Sequence, residues 1–269
     1  MPGTLIPVYN LIAGGVLLWF GAETFVRRSS ALAIRMGLTP LVVGLTVVAF
    51  GTSAPELGVS LISTFRSMGD VATGNVVGSN IANVGLILGL SALIRPIRIE
   101  PKLLQLDVPI VVAVSLLATL LFEDGVLSRP EAGFLVFLLI GYILLSLRKS
   151  RLELNVVVSP VGESTGRRPL AMVLGLILAG LAMLVMGSFA FVNGAQELAV
   201  GLGVKPAIVG LTVVAVGTSL PEAATSVVAA WRGQGEIAVG NLVGSNLFNL
   251  LAILGVTGLV RPVMRGQVS

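Results

Sequence analysis

Two segments of the chain are copies of each other. Gly44 to Pro96 reads GLTVVAFGTSAPE … GDVATGNVVGSNIANVGLILGLSALIRP, and Gly210 to Pro262 reads GLTVVAVGTSLPE … GEIAVGNLVGSNLFNLLAILGVTGLVRP. They align without a gap at a constant offset of 166 residues, and about half of the positions are identical. Each copy carries one glutamate, Glu56 or Glu222, inside an otherwise apolar stretch. An acid at membrane depth costs at least about 2.5 kcal/mol on insertion scales. Two of them at matching repeat positions point to a two-half ion-binding site.

The stretch is a membrane one. Charged residues make up 11% of the chain and mean hydropathy is +1.00, against about 25% charged residues in soluble domains. The apolar runs are long enough for helices, which need about 20 residues to span, whereas a β-barrel would show short alternating segments. The fold class expected is an all-α integral membrane protein. Eight spans are predicted, at Val8–Val26, Pro40–Phe65, Val71–Ile94, Leu103–Phe122, Pro130–Leu147, Leu170–Val192, Pro206–Trp231 and Ile237–Val260. The first follows no basic segment and reads as a retained helix, not a signal peptide. Basic residues sit singly or in small groups between apolar runs, so the high pI does not indicate nucleic acid.

The repeat continues upstream at the same offset, since Gly21, Phe25, Gly37 and Pro40 match Gly187, Phe191, Gly203 and Pro206. The first three spans therefore correspond to the sixth, seventh and eighth. Five spans separate equivalents, an odd number, so the second copy enters the membrane upside down. This gives a first inverted repeat over residues 1–147, a polar linker over 148–169 and a second inverted repeat over 170–269. Arg27, Arg28, Arg35, Arg95, Arg148, Lys149, Arg167 and Arg232 are among the basic residues on one side, against Arg66, Arg129, Lys205, Arg261 and Arg265 on the other. The richer side is expected to be cytoplasmic. The linker then lies inside and both termini outside.

In Gly51-Thr52-Ser53-Ala54-Pro55-Glu56 the proline lacks an N–H and clashes with the preceding turn, so it breaks or kinks the helix. Freed carbonyls within a membrane are tolerated only against protein, water or a bound ion. Thr52 and Glu56 are one turn apart and can face one point. Gly217-Thr218-Ser219-Leu220-Pro221-Glu222 repeats these features from the opposite side. In the following spans Ser79 and Asn83 lie four residues apart, as do Ser245 and Asn249, so each pair shares a face. These four either complete an oxygen cage or join helices by hydrogen bonds. For Asn75, Asn80, Asn241 and Asn246 both readings stand. Glu23, Glu197, Asp70 and Glu236 fall near span ends or helix N-termini, where solvation and the helix dipole explain an acid.

Every candidate ligand is an oxygen, as hard cations such as Ca²⁺ require, and two glutamates neutralise one divalent ion. The chain has no cysteine and no histidine, which excludes thiolate metal sites and imidazole proton relays. No nucleotide motif or soluble domain suggests an enzyme, and no cofactor is expected.

These motifs resemble the two α-repeats of the cation/Ca²⁺ antiporter superfamily, and most of all its prokaryotic sodium/calcium exchangers. The resemblance covers Val8 to Val260, although between the repeats it rests on hydropathy alone. It implies that Glu56 and Glu222 hold Ca²⁺ with the backbone oxygens of Thr52 and Thr218. It places Na⁺ at Ala49, Ser53 and Ser79 on one side and at Ala215, Ser219 and Ser245 on the other, with Asn83 and Asn249 at the centre. It implies alternating access, with the first and sixth spans sliding across the rest. Two departures stand out. Some members carry an aspartate at one of the two central amide positions, whereas this chain has Asn at both, leaving two carboxylates to face the cations. The family has ten spans and this chain stops near the end of the eighth, so the last two are expected to be missing. The function implied is Ca²⁺ export in exchange for Na⁺ across a lipid bilayer. The alternatives are a Ca²⁺/H⁺ exchanger and a non-transporting membrane fragment.

Overall fold

A computed structural model of the chain describes residues 5–66, 68–97, 99–101, 103–156, 169–204 and 217–264. Seven of the expected spans are seen there as six long apolar helices and one bent pair. They are α1 (Leu5–Met36), the pair α2 (Pro40–Thr52) and α3 (Ala54–Phe65), α4 (Gly69–Ile94), α5 (Leu103–Leu121), α6 (Arg129–Val156), α7 (Leu170–Gly201) and α9 (Gly235–Val260). The eighth is represented by its second half, α8 (Leu220–Trp231). Its first half, from Pro206, lies outside the described residues. A two-residue antiparallel pair, β1 (Val126–Leu127) with β2 (Val263–Met264), ties the α5–α6 turn to the segment after α9.

Three helices run further than hydropathy predicts. α1 continues through Arg27 and Arg28 to Met36, and α7 continues past Val192 to Gly201. Long basic side chains can reach the interface while the helix backbone goes on. Both helices are followed by a left-handed glycine, Gly37 at φ 62° and Gly203 at φ 88°, the usual helix stop. α6 runs into the predicted linker as far as Val156, and the rest of that linker, to residue 168, is outside the described residues.

α1 and α7 cross backbone to backbone. A Cβ on Gly14 would lie 2.5 Å from the Phe191 nitrogen, one on Gly21 2.9 Å from that of Leu184, and one on Gly187 2.8 Å from that of Leu18. Gly14 and Gly21, like Gly180 and Gly187, are two helical turns apart and form one stripe. Small residues are how membrane helices approach closely. Gly187→Leu should therefore lower the thermal midpoint in detergent, by overpacking worth about 1–3 kcal/mol. Gly175→Leu, where an added Cβ meets nothing within 4 Å, should leave it unchanged. Equal midpoints for the two variants would contradict this packing.

The upside-down relation of the repeats is visible in their helix ends. Arg95, at the end of α4, donates to the Trp231 carbonyl that ends α8, and Arg261, at the end of α9, donates to the Phe65 carbonyl that ends α3, each at 3.5 Å. Each guanidinium caps the helix that carries the other repeat's glutamate, and a cation there complements the helix dipole. The symmetry is not carried into burial. The α9 span is 72% buried and its counterpart α4 only 22%. α5 and α6 pack over the apolar face of α9, in a cluster that includes Leu135, Leu139, Leu251 and Leu254. Among the described residues no helix pair covers α4 in the same way. Glu23 of α1 pairs with Arg232 beside α8, with the Trp19 and Trp231 rings in tilted contact next to them, centroids 5.2 Å apart. Glu23 is thus held in an ion pair between helices, where the sequence suggested only solvation at a span end.

Candidate ion-binding site

The helix breaks form where the two GTS-x-PE motifs predict them. Ser53 leaves helical geometry (φ −82°, ψ 4°) and α3 restarts at Ala54 with Pro55 in its first turn, bent 44° from α2. Ser219 does the same (φ −88°, ψ 6°) before α8, with Pro221 in the first turn. Proline suits this position because its missing N–H would be unpaired there anyway. Glu56 and Glu222 fall in those first turns, where the N-terminal dipole favours a negative charge. Both are about fully buried, at 0% and 1% exposure.

The two motifs interlock. Ser53 Oγ donates to Glu222 Oε1 at 3.0 Å, and Ser219 Oγ lies 3.3 Å from Glu56 Oε1 and 3.0 Å from Ser79 Oγ. Each carboxylate is thus held by a hydroxyl of the opposite repeat. The side chains of Asn75 and Asn241 complete a second layer. Asn75 Nδ2 donates to the Glu56 carbonyl at 3.2 Å and to Ser60 at 3.1 Å. Asn241 Nδ2 donates to the Glu222 carbonyl at 3.5 Å and to Ser226 at 2.9 Å. Their amide oxygens face the other repeat, where Thr218 donates to Asn75 at 3.3 Å and Thr52 to Asn241 at 3.1 Å. For these two asparagines the structure selects the hydrogen-bonding reading. The Thr52 hydroxyl is also within reach of the Val48 and Ala49 carbonyls.

A set of buried oxygens is left over. Glu56 Oε2, Glu222 Oε2, Asn83 Oδ1 and Asn249 Oδ1 make no hydrogen bond. Ser245 stands at hydrogen-bonding range of the Glu222 carboxylate. Unpartnered buried polar atoms are costly, and these four, one each on α3, α4, α8 and α9, are the kind of ligand an oxygen-seeking cation needs. Asn83 begins a π-helical turn (Asn83–Ile87) and Asn249 lies in its counterpart (Phe248–Ile253). Such turns mark places where a helix gives up regularity at a site. The structure therefore brings together Thr52, Ser53, Glu56, Ser79, Thr218, Ser219, Glu222 and Ser245, and Asn83 and Asn249 lie one turn beyond Ser79 and Ser245, paired with Asn246 and Asn80. Ala49 is fully buried on α2 against α9, where a Cβ on Gly244 would lie 2.7 Å from its own. Ala215 lies outside the described residues.

The chain belongs to the sodium/calcium exchanger family. Its match to the family described as "Sodium/calcium exchanger protein" runs over residues 6–148 and 172–269. It is 33% identical to the sodium/calcium exchanger MaX1 of Methanosarcina acetivorans, over 96% of this chain and 84% of that one. It is 36% identical to the inner membrane protein YrbG of Escherichia coli K12, over 96% and 81%. The fold superimposes on the sodium-calcium exchanger NCX_Mj soaked with Na⁺ and Sr²⁺ at a TM-score of 0.83 and 30% identity, covering 98% of this chain and 86% of that one. The chain is thus a multi-pass membrane antiporter of the Ca²⁺ and Na⁺ transport class.

One acid escaped the sequence reading. Asp107, in the first turns of α5, is buried and accepts from Tyr142 Oη of α6 at 3.0 Å. It borders a cavity of about 60 Å³ that also touches α2 at Leu41, Val42 and Leu45. The signal was available, because Asp107 is an acid inside a predicted span, which is unusual in itself.

Proposed function

We propose that this chain exchanges Ca²⁺ for Na⁺ by alternating access at the site shared by Glu56 and Glu222. The observation that carries this reading is the interlock of the two motifs, which buries Glu56 and Glu222 close together under serines of the opposite repeat, each with one carboxylate oxygen unpaired. The carboxylates supply two negative charges, which balance one Ca²⁺ or two Na⁺. One set of oxygens cannot hold Ca²⁺ and a full Na⁺ load together, so each ion displaces the other. That differential occupancy couples the two gradients. In this reading Glu56, Glu222 and the Thr52 and Thr218 carbonyls hold Ca²⁺. Ser53 and Ser79 with Ala49, and Ser219 and Ser245 with Ala215, serve Na⁺ on either side, and Asn83 and Asn249 lie at the centre. The excess of Lys and Arg on the side of Arg95 and Arg232 puts that side in the cytoplasm of the cell membrane, with residues 148–169 inside and both termini outside.

⁴⁵Ca²⁺ uptake into proteoliposomes tests the coupling ion. Vesicles loaded with Na⁺ should accumulate Ca²⁺, and Na⁺-free vesicles should not, with or without a pH gradient. Uptake driven by a pH gradient alone would replace Na⁺ with H⁺ as the counter-ion. No uptake under any gradient from folded protein would leave a membrane protein that keeps the motif without transporting.

A further inference from the structure

Asn80 and Asn246 sit one residue after Ser79 and Ser245, at equivalent positions of the two repeats. Their side chains cross to the opposite repeat. Asn249 Nδ2 donates to Asn80 Oδ1 at 2.9 Å, and Asn83 Nδ2 donates to Asn246 Oδ1 at 3.0 Å. Asn80 Nδ2 also lies 3.4 Å from the Asn246 carbonyl. A primary amide has a donor end and an acceptor end of nearly the same shape. Unrestrained, Asn83 or Asn249 could turn either end toward a bound ion. The crossed bonds turn the amide nitrogens of both toward the opposite repeat's asparagine and leave both acceptor ends buried and unpaired.

We propose that Asn80 and Asn246 are positioning residues for ion binding. Resting on the site reading above, they hold the central amides so that two carbonyl oxygens, and no N–H group, face the cation. The arrangement is needed because this chain has amides at both central positions. A carboxylate presents an acceptor whichever way it turns, and an amide does so in only one of two orientations. The reciprocity matters as well. α4 supplies the acceptor that orients α9's amide, and α9 the one that orients α4's, so the centre is set only when both repeats are docked. A site held by a supporting shell of this kind loses affinity when that shell is removed, although the ligands themselves are untouched.

The test is a double-mutant cycle read by calorimetric titration of Ca²⁺ into purified protein. Asn80→Leu should weaken Ca²⁺ binding about tenfold, as expected when an amide is freed to present its donor end. Asn80→Asp, which keeps the acceptor for Asn249, should retain binding. In an Asn249→Asp background no N–H remains to be turned away, so adding Asn80→Leu should not weaken binding further. A tenfold loss from Asn80→Leu in both backgrounds, or in neither, overturns the proposal while the site reading stands. No Ca²⁺ binding by the wild type, or binding unaffected by Glu222→Gln, overturns the site reading and the proposal with it. If Asn80→Leu does not give folded protein, Asn246→Leu with and without Asn83→Asp makes the same measurement from the other repeat.

Discussion

Glu56→Gln and Glu222→Gln are each expected to abolish Ca²⁺ exchange while leaving the protein folded. Each glutamate is buried with one oxygen held by a serine of the other repeat and one oxygen free. Glutamine keeps the volume and can still accept from Ser53 or Ser219, so the interlock survives. What is lost is one of the two negative charges that balance the cation. Removing one member of a buried charge pair costs about 3–5 kcal/mol, which is roughly a hundredfold to a thousandfold or more in affinity. Without ions the variants should be as thermally stable as the wild type or more so, because burying a lone carboxylate is costly. Calcium titration with a thermal midpoint on the same samples checks both halves. Wild-type flux in either variant would contradict the account.

A second large effect is expected from Gly244→Leu. A Cβ there would lie 2.6 Å from the Leu45 carbonyl oxygen and 2.7 Å from Ala49 Cβ. One turn earlier, a Cβ on Gly240 would lie 2.8 Å from the Leu41 oxygen. α2 and α9 therefore meet with no room for a side chain, and overpacking of this kind costs about 1–3 kcal/mol, occasionally more. To admit leucine, α2 must retreat, carrying Ala49 and Thr52 away from Ser245 and Asn241. Folded yield, thermal midpoint and Ca²⁺ affinity should fall together. Gly89→Leu, at a position where an added Cβ would meet nothing within 4 Å, serves as control and should behave as wild type. Retained stability and binding in Gly244→Leu would contradict the packing.

Much of the fold and of the candidate site could be read from the sequence, because repetition encoded both. The constant offset pairs Glu56 with Glu222 and Asn83 with Asn249 without any coordinates, and an odd number of intervening spans inverts the second copy. The breaks at Ser53 and Ser219 follow from proline chemistry. Helix ends were less legible, since hydropathy stops at Arg27 whereas hydrogen bonding continues until Gly37. The roles of Asn75, Asn80, Asn241 and Asn246 were beyond reach. Spacing places an asparagine on a face but does not say whether its oxygen meets an ion or a partner across the repeat boundary. The crossed pairs Asn80–Asn249 and Asn83–Asn246 join residues more than 160 positions apart. Asp107 lies outside the 44–96 segment that recurs, so repetition does not mark it.

The central claim is that one divalent cation sits between the two repeats, held by both glutamates. Anomalous scattering from crystals soaked in Sr²⁺ tests it most directly. The account predicts one strong peak between Glu56 Oε2 and Glu222 Oε2, at the distances of about 2.3–2.6 Å typical of hard divalent ions and oxygen, lost on soaking in excess Na⁺. A peak elsewhere in the protein with the two carboxylates left bare, or one that excess Na⁺ does not displace, would contradict it.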